Sequence, residues 1–453
     1  MTVGQSGGAR YVAIKKVLSG TRGMDKVSVS VRAVPESGEL ARSASSNEGK
    51  RRDQPAAPSQ VAILTGGGDR HYALGLAGTL IDHGVRFDFI GSNELDDPLL
   101  HQSGLVRFLN LRKDISTNAS PVRKVVRVLL YYWRLLVYAA GAKPKVFHIL
   151  WQNKFLWLDR TLVMLYYRAL GKRIVFTAHN VNAGRRDGND SLLNRLTLKS
   201  QYALADHILV HTEQMRKELQ SEFKVDASKV SVIPYGINNA VPDTALTSSE
   251  AKQRLGLVPS HKVVLFFGSI APYKGLEYLI EAMRFLAPQD SHYRLIIAGR
   301  PKNCESYWES LQKRFSGPDL RSSVIERIEY VRDADIEIYF KAADVLVLPY
   351  LCIFQSGVLF LGYSFGLPVI ASDVGAFRDD VLDGTTGFIC RPGKAIDLAK
   401  RIDQYFSHPL YRELEQRRGD IQAFAKERHS WTKVGGITRV VYLNLLEQNQ
   451  SIS

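Results

Sequence analysis

Val263–Met283 (VVLFFGSIAPYKGLEYLIEAM), Tyr339–Tyr350 (YFKAADVLVLPY) and Gln355–Phe377 (QSGVLFLGYSFGLPVIASDVGAF) follow one another in the second half of a 453-residue chain. Val263 to Phe267 is an unbroken apolar, β-rich run, the pattern of a parallel strand covered on both faces, and it ends at Gly268 before a loop carrying Lys274. The spacing then predicts a helix with Leu276, Leu279, Ile280 and Met283 on one face. Val345 to Leu348 repeats the buried-strand pattern and stops at Pro349; Gln355, Ser356 and Gly357 open a helical segment that ends at Gly366 and Pro368, and Val369 to Ala371 reads as a further strand. Strand, loop and helix in this order make an anion site. N–H groups at the helix start and the macrodipole both favour a phosphate, and Gly357 leaves room for it to approach.

These segments resemble the retaining glycosyltransferases of the GT-B fold, family 4 or "group 1" type, and the likeness runs from about Gln60 to Leu446. GSIAPYKG resembles the family's glycine-rich loop, whose phosphate-binding lysine falls on Lys274. QSGVLFLGYSFGLPVIASDVG resembles the variant donor motif in which Q-S-G-V-L replaces a glutamate followed by G-F-G-L. AADVLVLPY, DGTTGFICRPG and the tail SWTKVGGITRVVYLNLL complete the ordered set.

The resemblance implies an α/β protein with two Rossmann-like domains facing a cleft. It implies a nucleoside-diphosphate sugar on the second domain, an acceptor on the first, no cofactor and no required metal. Lys274 and His179 are then the catalytic candidates. Gly268, Arg300, Tyr330, Val331, Gln355, Ser356, Gly357 and Val358 are the donor-binding ones, with Tyr330 and Val331 where the family holds the base. Arg300 reads equally as half of a surface salt bridge. Two departures stand out: the arginine after the first-loop glycine and the two glutamates found in many members are here Ser269, Ile353 and Leu361. They leave Lys274 as the main side-chain cation at the pyrophosphate. They also keep open a non-catalytic relative that binds a nucleotide sugar or a partner enzyme. An epimerase of the same fold would need acidic and histidine groups around the sugar that the sequence does not place.

Composition agrees. The chain is 45% hydrophobic and 10% aromatic, ordinary globular usage, and long enough for two cores. Its cysteines, Cys304, Cys352 and Cys390, have neither metal-type spacing nor an even count, which favours a reducing cytoplasm. Asp333 and Asp335 have Asp-x-Asp spacing but precede the helical run IEIYFKAAD, where capping is the expected role. The net charge of +15 is local: residues 1–57 hold ten Lys+Arg against five Asp+Glu, and residues 121–173 hold eleven against Asp159 alone, so the rest of the chain sums to zero. No helix-turn-helix, RNP or finger signature accompanies the charge, so nucleic acid is not an expected partner.

Four segments are expected: a disordered basic leader over 1–57, either a membrane-tethering arm or functionless; an acceptor domain over 58–245; a nucleotide-sugar domain over 246–428; and a crossing helix with tail over 429–453. The first domain begins with the strand VAILT and a turn at Gly66, Gly67 and Gly68, the last two being candidates for the cleft or acceptor loop. It continues through KVFHILW, LDRTLVMLYYRAL and RIVFTAHN, a strand, helix, strand rhythm whose carboxyl ends are where ligands bind in such sheets. His179, at one of these ends, matches a family histidine near the donor sugar; a hydrogen-bonded structural histidine is the plain alternative. His207 and His211 read as structural.

Val122–Ala140 (VRKVVRVLLYYWRLLVYAA) places Arg123, Arg127, Arg134, Tyr131 and Tyr138 in one helical sector and Val122, Val125, Val126, Leu129, Trp133, Leu136 and Val137 in the opposite one. The arginines preclude a bilayer span. The expectation is an apolar side packed on the sheet and an Arg/Tyr side toward water, suited also to anionic headgroups. A peripheral enzyme at the inner face of the cytoplasmic membrane is therefore expected, extending a glycan or polyprenyl-linked saccharide in exopolysaccharide assembly.

Overall fold

The strand-type runs beginning at Val61, Val146, Arg173, Val263, Val345 and Val369 become strands in the computed structural model, which describes residues 59–114, 120–237, 241–302, 304–315 and 317–450. The leader expected over 1–57 lies outside the described residues. β1 (Val61–Leu64), β2 (Phe87–Gly91), β3 (Val106–Asn110), β4 (Val146–Ile149), β5 (Arg173–Ala178), β6 (His207–Val210) and β7 (Val230–Val232) form a sheet in the order β3-β2-β1-β4-β5-β6-β7. β8 (Lys262–Phe267), β9 (Tyr293–Ala298), β10 (Val324–Arg327), β11 (Val345–Leu348), β12 (Val369–Ser372) and β13 (Gly387–Cys390) form a second in the order β10-β9-β8-β11-β12-β13. Every pairing between these strands is parallel. Two Rossmann-like halves result, the GT-B arrangement.

Parallel strands need crossovers, and the crossover helices cover both faces of each sheet, which is why β1, β4 and β11 are buried from end to end. One core fills each face of the first sheet, and a continuous core unites the second domain. Strand order reverses between β1 and β4 and again between β8 and β11, so a crevice opens at the carboxyl ends of those strands.

The helix Trp431–Gln450 returns to the first domain, where Val434, Val441, Tyr442 and Leu445 join a core beside the helix Arg70–Asp82. Its first residue is the anchor. A Cβ on Gly75 or Gly236 would come within 2.2 or 2.3 Å of the Trp431 ring, and the indole Nε1 donates to the Ile237 carbonyl at 2.8 Å. Thr79 Oγ1 donates to the Trp431 carbonyl at 2.9 Å, fastening the helix from the other side.

One helix packs the opposite way to its expectation. In Pro121–Gly141 it is the tyrosine side that faces the sheet: Tyr131, Tyr132, Leu135 and Ala139 are buried, while Val122, Val125, Val126, Leu129, Trp133 and Val137 are 47–74% exposed. Hydrogen bonding explains the choice. Tyr131 donates to Asn153 Oδ1 (2.8 Å), Tyr132 to Asp159 Oδ1 (2.9 Å) and Tyr138 to Asp88 Oδ2 (2.8 Å), so large rings are buried with their polar ends satisfied. Arg127 bonds the Asp114 carbonyl at 3.1 Å and Arg134 the Leu111 carbonyl at 3.3 Å, which half-buries these two, while Arg123 stays exposed.

Asp333 and Asp335 sit in the first turn of the helix Asp333–Ala342, with Arg332 as the N-cap residue. They complement the macrodipole instead of capping. Asp335 accepts from Arg332 at 2.6 Å, and Asp333 lies 3.4 Å from His71 of the first domain.

Candidate active site

A cleft of about 920 Å³ lies where the two switch points meet, bounded by the loops after β8, β9 and β11 and by Asp69, Tyr72, Arg186 and Tyr235 of the first half. The loops after β8 and β9 touch through their backbones, because a Cβ on Gly299 would stand 2.0 Å from the Gly268 carbonyl oxygen. That contact brings Lys274, Arg300 and Lys302 into one corner. Lys274 ends the turn Pro272–Lys274; Gly275 follows with φ +63°, and a Cβ there would meet the Pro349 carbonyl at 2.2 Å.

Lys274 is 5% exposed, its Nζ 5.4 Å from the centroid of the Tyr350 ring. Burial, with Lys302 and Arg186 nearby, pulls its ammonium down to about 7. Arg300 lies over the Tyr330 ring, 5.7 Å from its centroid, and makes no salt bridge among the described residues. Among the described residues no carboxylate is within ion-pair range of Lys274, Arg300 or Lys302, although Glu305 and Glu329 line the same cavity. Arg186 enters from the first domain, 4.8 Å from the Tyr273 ring centroid, and is paired with Asp187 at 2.7 Å.

Opposite the cations starts the helix Gly357–Ser364, with buried Ser356 as its N-cap residue. The first-turn N–H groups of any helix lack acceptors within it, and Ser356, Gly357 and Val358 line the cavity. A Cβ on Gly357 would lie 3.3 Å from the Tyr235 hydroxyl. Gln355 Nε2 donates to Asp380 Oδ2 at 3.3 Å, and its buried Oε1 has no partner. Burial holds the Asp380 carboxyl up at about 7.

Of the residues singled out from sequence, Gly268, Lys274, Arg300, Tyr330, Val331, Gln355, Ser356, Gly357 and Val358 all line this cleft. So do Ser269, Ile353 and Leu361, which present no charge to it. His179 does not line it. That ring stacks on Trp151 (centroids 4.2 Å apart, planes at 6°), meets Tyr72 edge-on at 4.6 Å, and shares a 3.1 Å hydrogen bond between its Nδ1 and His211 Nε2. Burial, and then the neighbouring His211, push it well below the usual histidine range, and its Nε2 has no partner. Gly67 and Gly68 are also outside the cavity: a Cβ on either would stand 1.9 Å from Arg112 or Trp151 side-chain atoms, so the space against them is filled by the chain itself. His207 bonds Ser231 Oγ at 2.9 Å.

Sequence reasoning missed Lys302, Arg186, Tyr235 and His71. Lys302 follows β9 by a few residues, the same strand-end position that pointed to Lys274; Arg186 and Tyr235 carried no such signal. Among the described residues no group of three or more His, Cys, Asp or Glu is arranged to hold a metal ion.

The two parallel-sheet halves and the cleft between them are the GT-B fold. The family "Glycosyltransferase Family 4" matches residues 66–241, over the first domain, and "Glycosyl transferases group 1" matches residues 261–408, over the second. A D-inositol 3-phosphate glycosyltransferase of Streptomyces bingchenggensis is 28% identical over 243 residues, 52% of each chain, and one of Streptomyces avermitilis is 24% identical over 322 residues, 69% of this chain and 68% of that one. The chain thus spans about half the length of the first of these relatives. Among solved structures, sucrose-phosphate synthase from Thermosynechococcus elongatus superposes with a TM-score of 0.68 at 19% identity, covering 86% of this chain and 100% of that one. Anabaena HepE in complex with UDP-glucose gives 0.63 at 16% identity, covering 84% and 99%.

Proposed function

We propose that the chain transfers a sugar from a nucleoside-diphosphate sugar in this cleft to a glycan or polyprenyl-linked saccharide, retaining anomeric configuration and needing no metal ion, in polysaccharide assembly. The observation that carries the reading is the corner of Lys274, Arg300 and Lys302, cations without a carboxylate partner among the described residues, facing the start of the helix Gly357–Ser364. As the glycosidic bond breaks, negative charge grows on the leaving diphosphate, and donors already aimed there lower the barrier. Lys274, Arg300 and Lys302 supply positive charge; the amides of Ser356, Gly357 and Val358 supply hydrogen bonds; Gln355, held by Asp380, presents its free Oε1 to the sugar. Lys274 takes up a proton as the diphosphate arrives, so its charge is fixed when it is needed. The UDP-glucose complex of HepE makes uridine-diphosphate sugars the first donors to try.

The protein would act as a peripheral protein at the inner face of the cytoplasmic membrane; no described helix is long and apolar enough to cross a bilayer. The test is release of nucleoside diphosphate from a panel of UDP- and GDP-sugars, with and without acceptor glycans. Turnover that persists in excess EDTA and collapses in Lys274→Ala is expected. The uncharged Ser269, Ile353 and Leu361 favour a second reading, nucleotide-sugar binding without transfer, which binding without turnover of any donor would establish.

A further inference from the structure

Three neighbouring helices on one face of the first sheet turn apolar side chains to solvent. In Pro121–Gly141, Val125, Leu129 and Trp133 are 58, 59 and 66% exposed. The next helical stretch, Leu156–Ala169, exposes Trp157 and Leu162, and Leu192–Leu204 exposes Leu193. The helices are held side by side. Phe155 stacks on Tyr132 at 5.8 Å, joining the first to the second, and Arg160 donates to Asn194 at 2.8 Å, joining the second to the third. Exposed apolar side chains on three adjoining helices are more than the single scattered leucines of an ordinary monomer, and point to an interaction face.

The charge beside it decides the partner. Arg123, Lys124 and Lys154 are exposed and have no carboxylate partner among the described residues, and the one acid of residues 121–173, Asp159, is buried with its oxygens bonded to Tyr132. A second copy docking through this face would set the same cations against themselves, since a two-fold interface pairs a patch with its own image. An anionic lipid surface takes both features: it accepts apolar side chains at the headgroup boundary, suits exposed tryptophans, and attracts lysine and arginine. Position agrees as well. Each helix follows a parallel strand, so each begins at the carboxyl edge of the sheet, the edge from which Asp69 and Arg186 reach the cleft.

We propose that this three-helix face rests on an anionic membrane with Val125, Leu129, Trp133 and Trp157 inserted at the headgroup boundary, so that the cleft opens toward an acceptor carried in the lipid. The acceptor clause rests on the transferase reading; the docking face does not. It replaces the Arg/Tyr side as the membrane contact, because Tyr131 and Tyr132 face the sheet.

The experiment is co-sedimentation of the full chain with phosphatidylglycerol/phosphatidylcholine vesicles, with tryptophan quenching by brominated lipid as an independent readout. Wild type, Val125→Ser/Leu129→Ser/Trp133→Ser and Arg123→Glu/Lys124→Glu are compared in low and high salt. Wild type should pellet with the vesicles, be quenched, and remain partly bound in high salt. The triple serine variant should lose on the order of tenfold in partitioning at unchanged melting temperature, and the charge variant should lose the salt-sensitive part. Donor cleavage in lipid-free solution should be equal in all three; its absence from all would sink the transferase reading and leave the vesicle result standing. A wild type left in the supernatant, or a serine variant that binds and is quenched as well as wild type, overturns the proposal. So does a wild-type dimer in sedimentation velocity that the serine variant dissolves while neither binds vesicles, which would make this a face for a second copy.

Discussion

The helix Leu276–Leu286 of the second domain and the helix Pro121–Gly141 of the first carry equally clear apolar stripes, yet they bury opposite kinds of side. In the first case Leu276, Leu279, Ile280 and Met283 are 0% exposed, as the spacing predicts. In the second the stripe of Val125, Leu129 and Trp133 faces solvent and the tyrosines face the core. Periodicity locates a face without saying which way it points. Where the opposite face is mostly charged, as in Leu276–Leu286 with Glu277, Glu281 and Arg284 beside Tyr278 and Phe285, the stripe goes inward. Where it offers tyrosines whose hydroxyls meet Asp88, Asn153 and Asp159, that face can be buried at no cost in unpaired polar groups, and the aliphatic stripe is left free for another partner.

That contrast can be broken most sharply by paired truncations. Leu135→Ala, at a site 0% exposed, should cost about 2–5 kcal/mol, whereas Leu129→Ala, at 59%, should stay within about 0.5 kcal/mol in urea unfolding. A larger loss at Leu129 than at Leu135 would mean the helix is turned as the sequence suggests. In the second domain, Lys274→Ala should cut turnover about 10²-fold or more at saturating donor, as expected for a lost charge-stabilising group.

A smaller effect follows from the Lys274 ammonium near 7. The diphosphate favours the charged form, which is already present below that pH. Donor affinity should therefore be flat at lower pH and weaken by about tenfold per unit above it, until the raised value in the complex is reached. Calorimetry in buffers of different ionisation enthalpy should show proton uptake on binding near pH 8. An affinity independent of pH from 6 to 9, with no uptake, would contradict it.

Smallest is the consequence of the Asp380 carboxyl held near 7 by burial. Its folded value lies above its unfolded one, so ionisation opposes folding and stability is lost as pH rises between the two. Asp380→Asn should then melt higher than wild type at pH 8, by an amount corresponding to about 1–3 kcal/mol, and the gap should close toward pH 4. A gap of equal size at both pH values would assign the effect to packing.

Legibility divides along the same line. The strands and the cleft-lining position of Gly268, Lys274, Gln355 and Val358 were readable because parallel strands leave continuous apolar runs and crevices open at their carboxyl ends. Lys302 stood at such an end and went unread. Arg186 and Tyr235 reach the cleft only through the placement of one domain against the other, which no local pattern encodes. His179 kept its strand-end position, but Trp151, Tyr72 and His211 surround it in a way only the tertiary structure reveals. Gly67 and Gly68 are glycines because Arg112 and Trp151 close on them.

The claim on which the rest depends is that the corner of Lys274, Arg300 and Lys302 holds a diphosphate. Titration calorimetry of UDP and GDP into the wild type, Lys274→Ala and the double variant Arg300→Ala/Lys302→Ala, at pH 6.5 and low salt, tests it most directly. The expected result is one site in the wild type for at least one of the two nucleotides, weakened on the order of tenfold or more in each variant. Binding of neither nucleotide by the wild type, or binding that both variants keep in full, would contradict it.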